Sequence, residues 1–152
     1  MFRNLKAVGR VLYGRNSFDQ LDEIMGELRV NEDSFVLFLV DEYFEGKELM
    51  NRIPMHSQDI LKIIEVKEEP KTKIVDEIVA EVKSLGKGNP VSVVGIGGGS
   101  AMDYAKATRL MFTNEGSSAQ YQGLDFIKNK GVHCTVIPVS YTHLTLPTKR
   151  IV

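Results

Sequence analysis

The 152-residue sequence predicts a single open α/β domain, a parallel sheet with helices on its faces. Two observations predict it. Short uninterrupted apolar runs alternate along the chain with segments whose apolar residues recur every three or four positions, and one such run passes directly into a cluster of glycines that opens a helix. The length suits one hydrophobic core and falls short of two ordinary domains.

From Lys6 to Tyr13 the chain reads as mixed and extended, and Gly14, Arg15 and Asn16 read as a turn. Ser17 with Gln20 has capping-box spacing, so a helix is expected to begin there. Phe18, Leu21, Ile24, Met25 and Leu28 form its apolar stripe, which should lie on a core. Phe35 to Val40 is an apolar run of strand length, expected to be covered on both faces and ended by Asp41. Ile60 to Val66 is a second such segment, followed by Glu68, Glu69 and Pro70. Thr72 is a plausible cap for a helix whose stripe is Ile74, Val75, Ile78, Val79, Val82 and Leu85, ended by Gly86 in the left-handed conformation. After the turn Gly88-Asn89-Pro90 come a strand from Val91 to Val94, a helix from Ser100 to about Phe112, a loop from Asn114 to Ser118 and a last strand from Val132 to Val139.

Composition narrows the partners. The 19 basic residues nearly balance 20 acidic ones, so no global basic field draws in nucleic acid or anionic lipid. No apolar run is long enough for a membrane helix and the start lacks a secretion signal, which points to the cytoplasm. Cys134 is the single cysteine, expected to be a small buried apolar residue. His56, His133 and His143 have no ligand-pair spacing; His133 is expected to be packed or hydrogen-bonded on a strand, with Cys134 facing the other side of the sheet. No nucleophilic constellation can be argued, so no catalytic residue is assigned.

The strongest local signal is Val93-Val94-Gly95-Ile96-Gly97-Gly98-Gly99-Ser100-Ala101-Met102-Asp103, between a strand and a helix. Glycines let a backbone turn sharply and approach a ligand, and the free N–H groups at a helix start favour an anion such as a pyrophosphate. Ser100 stands where G-x-G-x-x-G has its third glycine, so the standard dinucleotide fingerprint is absent, and a plain tight turn remains an alternative. Ser100 can donate to a phosphate or cap the helix. Asp103 can serve a ligand or simply answer the dipole in the helix's first turn. Asp41, at the carboxyl end of a buried strand, can accept the hydroxyls of an adenosine ribose and repel a 2′-phosphate, favouring NAD over NADP, or can be an ordinary turn aspartate.

The run GGGSAMDYAKA, with the apolar strand before it, resembles the GGGSxxDxAK signature of iron-containing alcohol dehydrogenases. The resemblance implies the Rossmann-like N-terminal domain of the dehydroquinate synthase-like fold, with Gly97, Gly98, Gly99 and Ser100 on the NAD pyrophosphate, Asp41 at the ribose and Asp103 beside nicotinamide and substrate. FLVDEYF, RIPMHSQDILKIIEVKEEP and YQGLDFIKN resemble the branch that oxidises the C8 hydroxyl of 3-deoxy-D-manno-octulosonate, a step towards an 8-amino sugar of lipopolysaccharide. The resemblance spans residues 1–139.

From Ser140 the chain departs from the family. A glycine loop of the form T-x-x-G-T-G-x-E is expected there, and SYTHLTLPTKRIV stands instead, similar to read-through at the end of a gene fragment. The expected organisation is therefore a cofactor-binding domain over 1–139 and a non-native tail over 140–152. In the family one aspartate and three histidines of a helical C-terminal domain hold a divalent metal, usually Fe2+. The chain is thus expected to be the cofactor-binding half of an oxidoreductase, inactive alone, whose parent is a homodimer acting on a sugar acid or other small alcohol. A stand-alone nucleotide-binding module and a dehydroquinate synthase-like cyclase fragment are the alternatives.

Overall fold

The computed structural model describes residues 8–67, 70–122 and 126–139. The expectations that rest on Lys6, on Glu68 and Glu69, on Gly123 to Asp125 of YQGLDFIKN, and on the tail from Ser140 with His143 lie outside those residues. Four parallel strands form one sheet in the order β2-β1-β3-β4, where β1 is Val36–Asp41, β2 Ile60–Ile64, β3 Ser92–Gly97 and β4 His133–Pro138. The expected open α/β sheet is present.

Successive side chains of a strand point to opposite faces, and the sheet accordingly separates two cores. On one face Phe35, Leu37, Leu39 and Val93 pack under α3 (Thr72–Ser84) and α4 (Gly99–Met111). On the other, Val36, Phe38, Val40, Val94 and Ile96 pack under α1 (Leu21–Leu28) and the short α2 (Glu48–Arg52). The connection from β1 to β2 thus crosses one face while those from β2 to β3 and from β3 to β4 cross the other. Right-handed crossovers running in opposite directions from β1 require that division.

β1 matches the doubly covered strand that its apolar run predicts, with every residue buried. Ile60 to Val66 does not: β2 is an edge strand ending at Ile64, and only Ile64 of it is buried. A continuous apolar run shows how apolar a segment is and leaves open whether it has neighbours on both sides. β3 runs three residues further than the apolar run, through Gly95 to Gly97, because β1 and β4 both pair with that stretch.

Several helix starts differ from expectation. The Ser17–Gln20 capping box does not form; Asn16 takes the left-handed conformation, φ 61°, and a 3-10 turn over Ser17–Gln20 leads into α1 with no side-chain cap. The backbone turn, with Asp19 N–H donating to Asn16 O at 3.0 Å, supplies the partner that the serine was expected to provide. Thr72 is likewise the first helical residue rather than the cap. Lys71 occupies that position, and its N–H donates to the Tyr104 hydroxyl at 3.0 Å. The α3 stripe buries Val75, Ile78, Val79 and Val82, but Leu85 is 54% exposed because the helix has already ended. Gly86 follows in the left-handed conformation, φ 69°, as its position predicts. Asn114 is not a loop-surface residue: it is buried, and its amide donates to Leu110 O and Asn129 O and accepts from Asn129 N–H. Ser118 begins a 3-10 turn over Ser118–Tyr121, where Asp76 accepts from the Ser117 hydroxyl and from Ser118 N–H.

Candidate functional site

The strand order reverses direction between β1 and β3, since the chain leaves β1 for the neighbour on one side and returns to build β3 and β4 on the other. Open α/β sheets place their ligand crevice at the carboxyl ends of the two strands flanking such a reversal. Here those ends are Asp41 and the Gly97–Gly99 turn.

The glycines divide by role. A Cβ on Gly95 would lie 2.6 Å from the Ala105 Cβ and 3.2 Å from Ala101 O, so this glycine lets α4 lie directly on β3. Gly97 has φ +145°, and a Cβ there would lie 2.6 Å from the Asp41 Cβ and 3.0 Å from that of Ala101. Both are required by packing, as the plain tight-turn alternative holds. Gly99 is different: it is exposed, and a Cβ on it would meet nothing within 4 Å. The fold does not require glycine there, whereas a ligand approaching the backbone closely would.

Gly98 is the N-cap of α4 and, having no side chain, offers the N–H groups of the first turn no side-chain acceptor. Ser100 is therefore not the cap; it is the second helical residue, half-buried. Asp103 is the fifth residue and lies beyond the first turn, because the helix begins at Gly99. Its exposed carboxylate is 3.6 Å from Lys106 Nζ, and Lys106 faces solvent. Asp103 also lines a groove of about 470 Å³ with Thr72, Leu110 and Tyr121.

Asp41 is brought against Gly97 and is 1% exposed. Its Oδ1 accepts the Tyr43 N–H at 2.9 Å and caps a 3-10 turn over Glu42–Phe44, so part of the turn-aspartate reading holds. The register Asp41↔Ile64 sets the next residues, Glu42 and Glu65, at adjoining strand ends. Glu65 is 3.0 Å from Lys67 Nζ, and that ion pair, with the nearby Glu42 charge, raises the Lys67 pKa. No spacing in the sequence could have found this group, because strand register is not written in it.

The two described histidines are placed in hydrogen bonds. His133 Nδ1 lies 2.9 Å from the Ser92 hydroxyl, while Cys134 packs half-buried on the opposite face of the sheet, as strand alternation predicts. Burial, with Arg109 and Lys130 beside it, lowers the His133 pKa, and burial raises that of the Cys134 thiol. His56 Nε2 is 2.9 Å from Asp22. Among the described residues no group of three His, Cys, Asp or Glu side chains could hold a metal ion, so the residues present do not fit the family's iron. No described helix is long and apolar enough to cross a membrane.

The family model for iron-containing alcohol dehydrogenases matches residues 9–142. The chain is 32% identical to a sulfoacetaldehyde reductase of Bilophila wadsworthia over 72 residues, 47% of this chain and 18% of that protein. It is 31% identical to alcohol dehydrogenase 4 of Saccharomyces cerevisiae over 107 residues, 69% of this chain and 28% of that one. Among solved structures, the sulfoacetaldehyde reductase of Bifidobacterium kashiwanohense in complex with NAD+ superposes with a TM-score of 0.66 at 20% identity, covering 82% of this chain and 32% of that one. The chain thus spans less than a third of the length of these curated relatives. On the family match, which covers most of its length, the chain belongs to the iron-containing alcohol dehydrogenases.

Proposed function

We propose that this chain is the dinucleotide-binding part of an NAD-dependent oxidoreductase acting on a primary alcohol. One observation carries the reading: the reversal of strand order falls between β1 and β3, where an exposed glycine that packing does not require opens a helix whose cap makes no side-chain bond. Gly97, Gly98, Gly99 and Ser100 would cradle the pyrophosphate. Asp41 supports that turn from below and adjoins the ribose, and Asp103 stands one helical turn further along. NAD, when bound, supplies the hydride acceptor.

The substrate we assign is the C8 hydroxyl of 3-deoxy-D-manno-octulosonate, in lipopolysaccharide biosynthesis in the cytoplasm; FLVDEYF and RIPMHSQDILKIIEVKEEP support that branch. In this reading residues 1–139 form the cofactor domain. The metal and the rest of the substrate pocket belong to the parent protein, a homodimer, and the 152-residue chain binds cofactor without turning over. Isothermal titration of the chain with NADH tests the core of the reading. Saturable binding, displaced by NAD+, is expected. A folded chain that gives no heat at millimolar NADH would overturn it.

A further inference from the structure

Asp41 is buried and already engaged by Tyr43 N–H, so the charges that the rim of the crevice presents to solvent come from its neighbours. β1 and β2 pair in register to their carboxyl ends, Asp41 beside Ile64, which puts Glu42 and Glu65 at adjoining strand ends. Glu65 is exposed and Glu42 partly so. A lysine stands beside them: Lys67 Nζ lies 3.0 Å from Glu65 Oε1 and feels Glu42 as well. Lys47, which follows β1, is held over the Tyr43 ring, its Nζ 3.7 Å from the centroid.

We propose that Glu42 and Glu65 determine which nicotinamide dinucleotide the crevice accepts, Glu65 by holding Lys67 in an ion pair and both by presenting negative charge to a ribose 2′-phosphate. The inference rests on the dinucleotide reading above and adds two residues to it. A 2′-hydroxyl meets this rim without penalty. A phosphate at the same atom carries roughly two negative charges at neutral pH, and it meets one exposed and one partly exposed carboxylate while Lys67 beside them is engaged by Glu65. Like charges brought together at a binding surface discriminate between ligands by repulsion rather than by contact. The acid at the end of β1 is therefore only one part of the selection.

The test is calorimetric titration of the 152-residue chain with NADH and NADPH, comparing the wild type with Glu42→Gln, Glu65→Gln and the double variant. Glu32→Gln serves as control for the single variants, since Glu32 is an exposed acid at the amino end of the sheet and its replacement changes net charge as each of them does. The expected result is NADH preference in the wild type and, in the double variant, NADPH binding tighter by about tenfold with NADH within about twofold. Raised salt should narrow the wild-type preference. Equal affinity of the wild type for both dinucleotides, no relative gain in the double variant, or the same gain in Glu32→Gln would overturn the proposal. A wild-type chain that binds neither dinucleotide overturns the dinucleotide reading itself and the selectivity with it.

Discussion

The two ends of the central strands are built on opposite principles. At the amino end, polar groups close on one another: Asp59, whose side chain is fully buried, accepts from both terminal nitrogens of Arg29 at 2.9 and 2.7 Å, from Val36 N–H at 2.8 Å and from His56 N–H at 2.9 Å. Ser34 adds a local turn with Val30 and Asn31. At the carboxyl end, α4 begins on a glycine with no side-chain cap, and Gly99 faces open space. One end closes its polar groups on one another, while the other opens a helix without a side-chain cap. The contrast teaches where to look for function in an open sheet: at the end where the polar inventory stays open.

The comparison can be broken at either end, and the largest effect is expected at the amino end. Asp59→Ala would leave a nearly buried guanidinium and two backbone N–H groups without their acceptor, at a cost of about 3–5 kcal/mol. Urea denaturation should find the variant largely unfolded; a loss under about 1 kcal/mol would show that the network is not what fixes the amino end. Acid acts on the same group. Burial raises the Asp59 carboxyl, but the Arg29 guanidinium and the N–H groups of His56 and Val36 outweigh it and hold the pKa below the usual carboxylate value. Its stabilisation is then present above the unfolded-state pKa, about 4, and is lost as pH falls through the lower folded-state value. The urea midpoint should therefore fall steeply below about pH 4, and Asp59→Asn should flatten that fall.

Next in size, a pair of glycine variants sharpens the distinction between packing and binding. Gly97→Ala is expected to destabilise by about 1–3 kcal/mol, since its φ of +145° and the 2.6 Å approach to the Asp41 Cβ leave no place for a methyl group. Gly99→Ala should leave stability within about 0.5 kcal/mol and, on the proposed reading, still weaken NADH about tenfold or more, because the methyl would stand where the proposed pyrophosphate site meets the backbone. Equal destabilisation by both substitutions would return the whole turn to a purely structural role.

Smaller effects test the flanks. Asp76→Asn keeps the shape but weakens the bonds from Ser117 and Ser118 that tie α3 to the turn before β4, and should lower stability by about 1 kcal/mol. The smallest change is expected at His133, whose pKa burial depresses. A histidine that resists protonation when folded makes stability decline as pH falls through the unfolded-state value, about 6.5, towards the folded one. Replacing it with Gln should remove that shallow slope, read from urea midpoints between about pH 7 and pH 5.

Much of this could be read from residues alone. β1 was legible because a fully apolar six-residue run can be satisfied only where both faces are covered. The α3 and α4 segments were legible from apolar spacing and from the glycines that bound them. β2 was misjudged because apolarity does not distinguish an edge from a centre, and the caps at Ser17 and Thr72 were misjudged because tertiary and backbone partners, the Tyr104 hydroxyl among them, satisfied those helix starts. Asp59 gave no signal: it stands in an unremarkable loop sequence, and its importance comes from Arg29, thirty positions away along the chain.

The sequence by itself determined the alternation of strands and helices, the glycine turn and the family, because these depend on local periodicity, backbone permissiveness and a contiguous motif. Only the tertiary structure decided the order β2-β1-β3-β4, which glycines packing requires, the burial of Asp41 and the meeting of Glu42, Glu65 and Lys67. Each of these follows from strand pairing and register, which join residues far apart in the chain through contacts that no local pattern encodes.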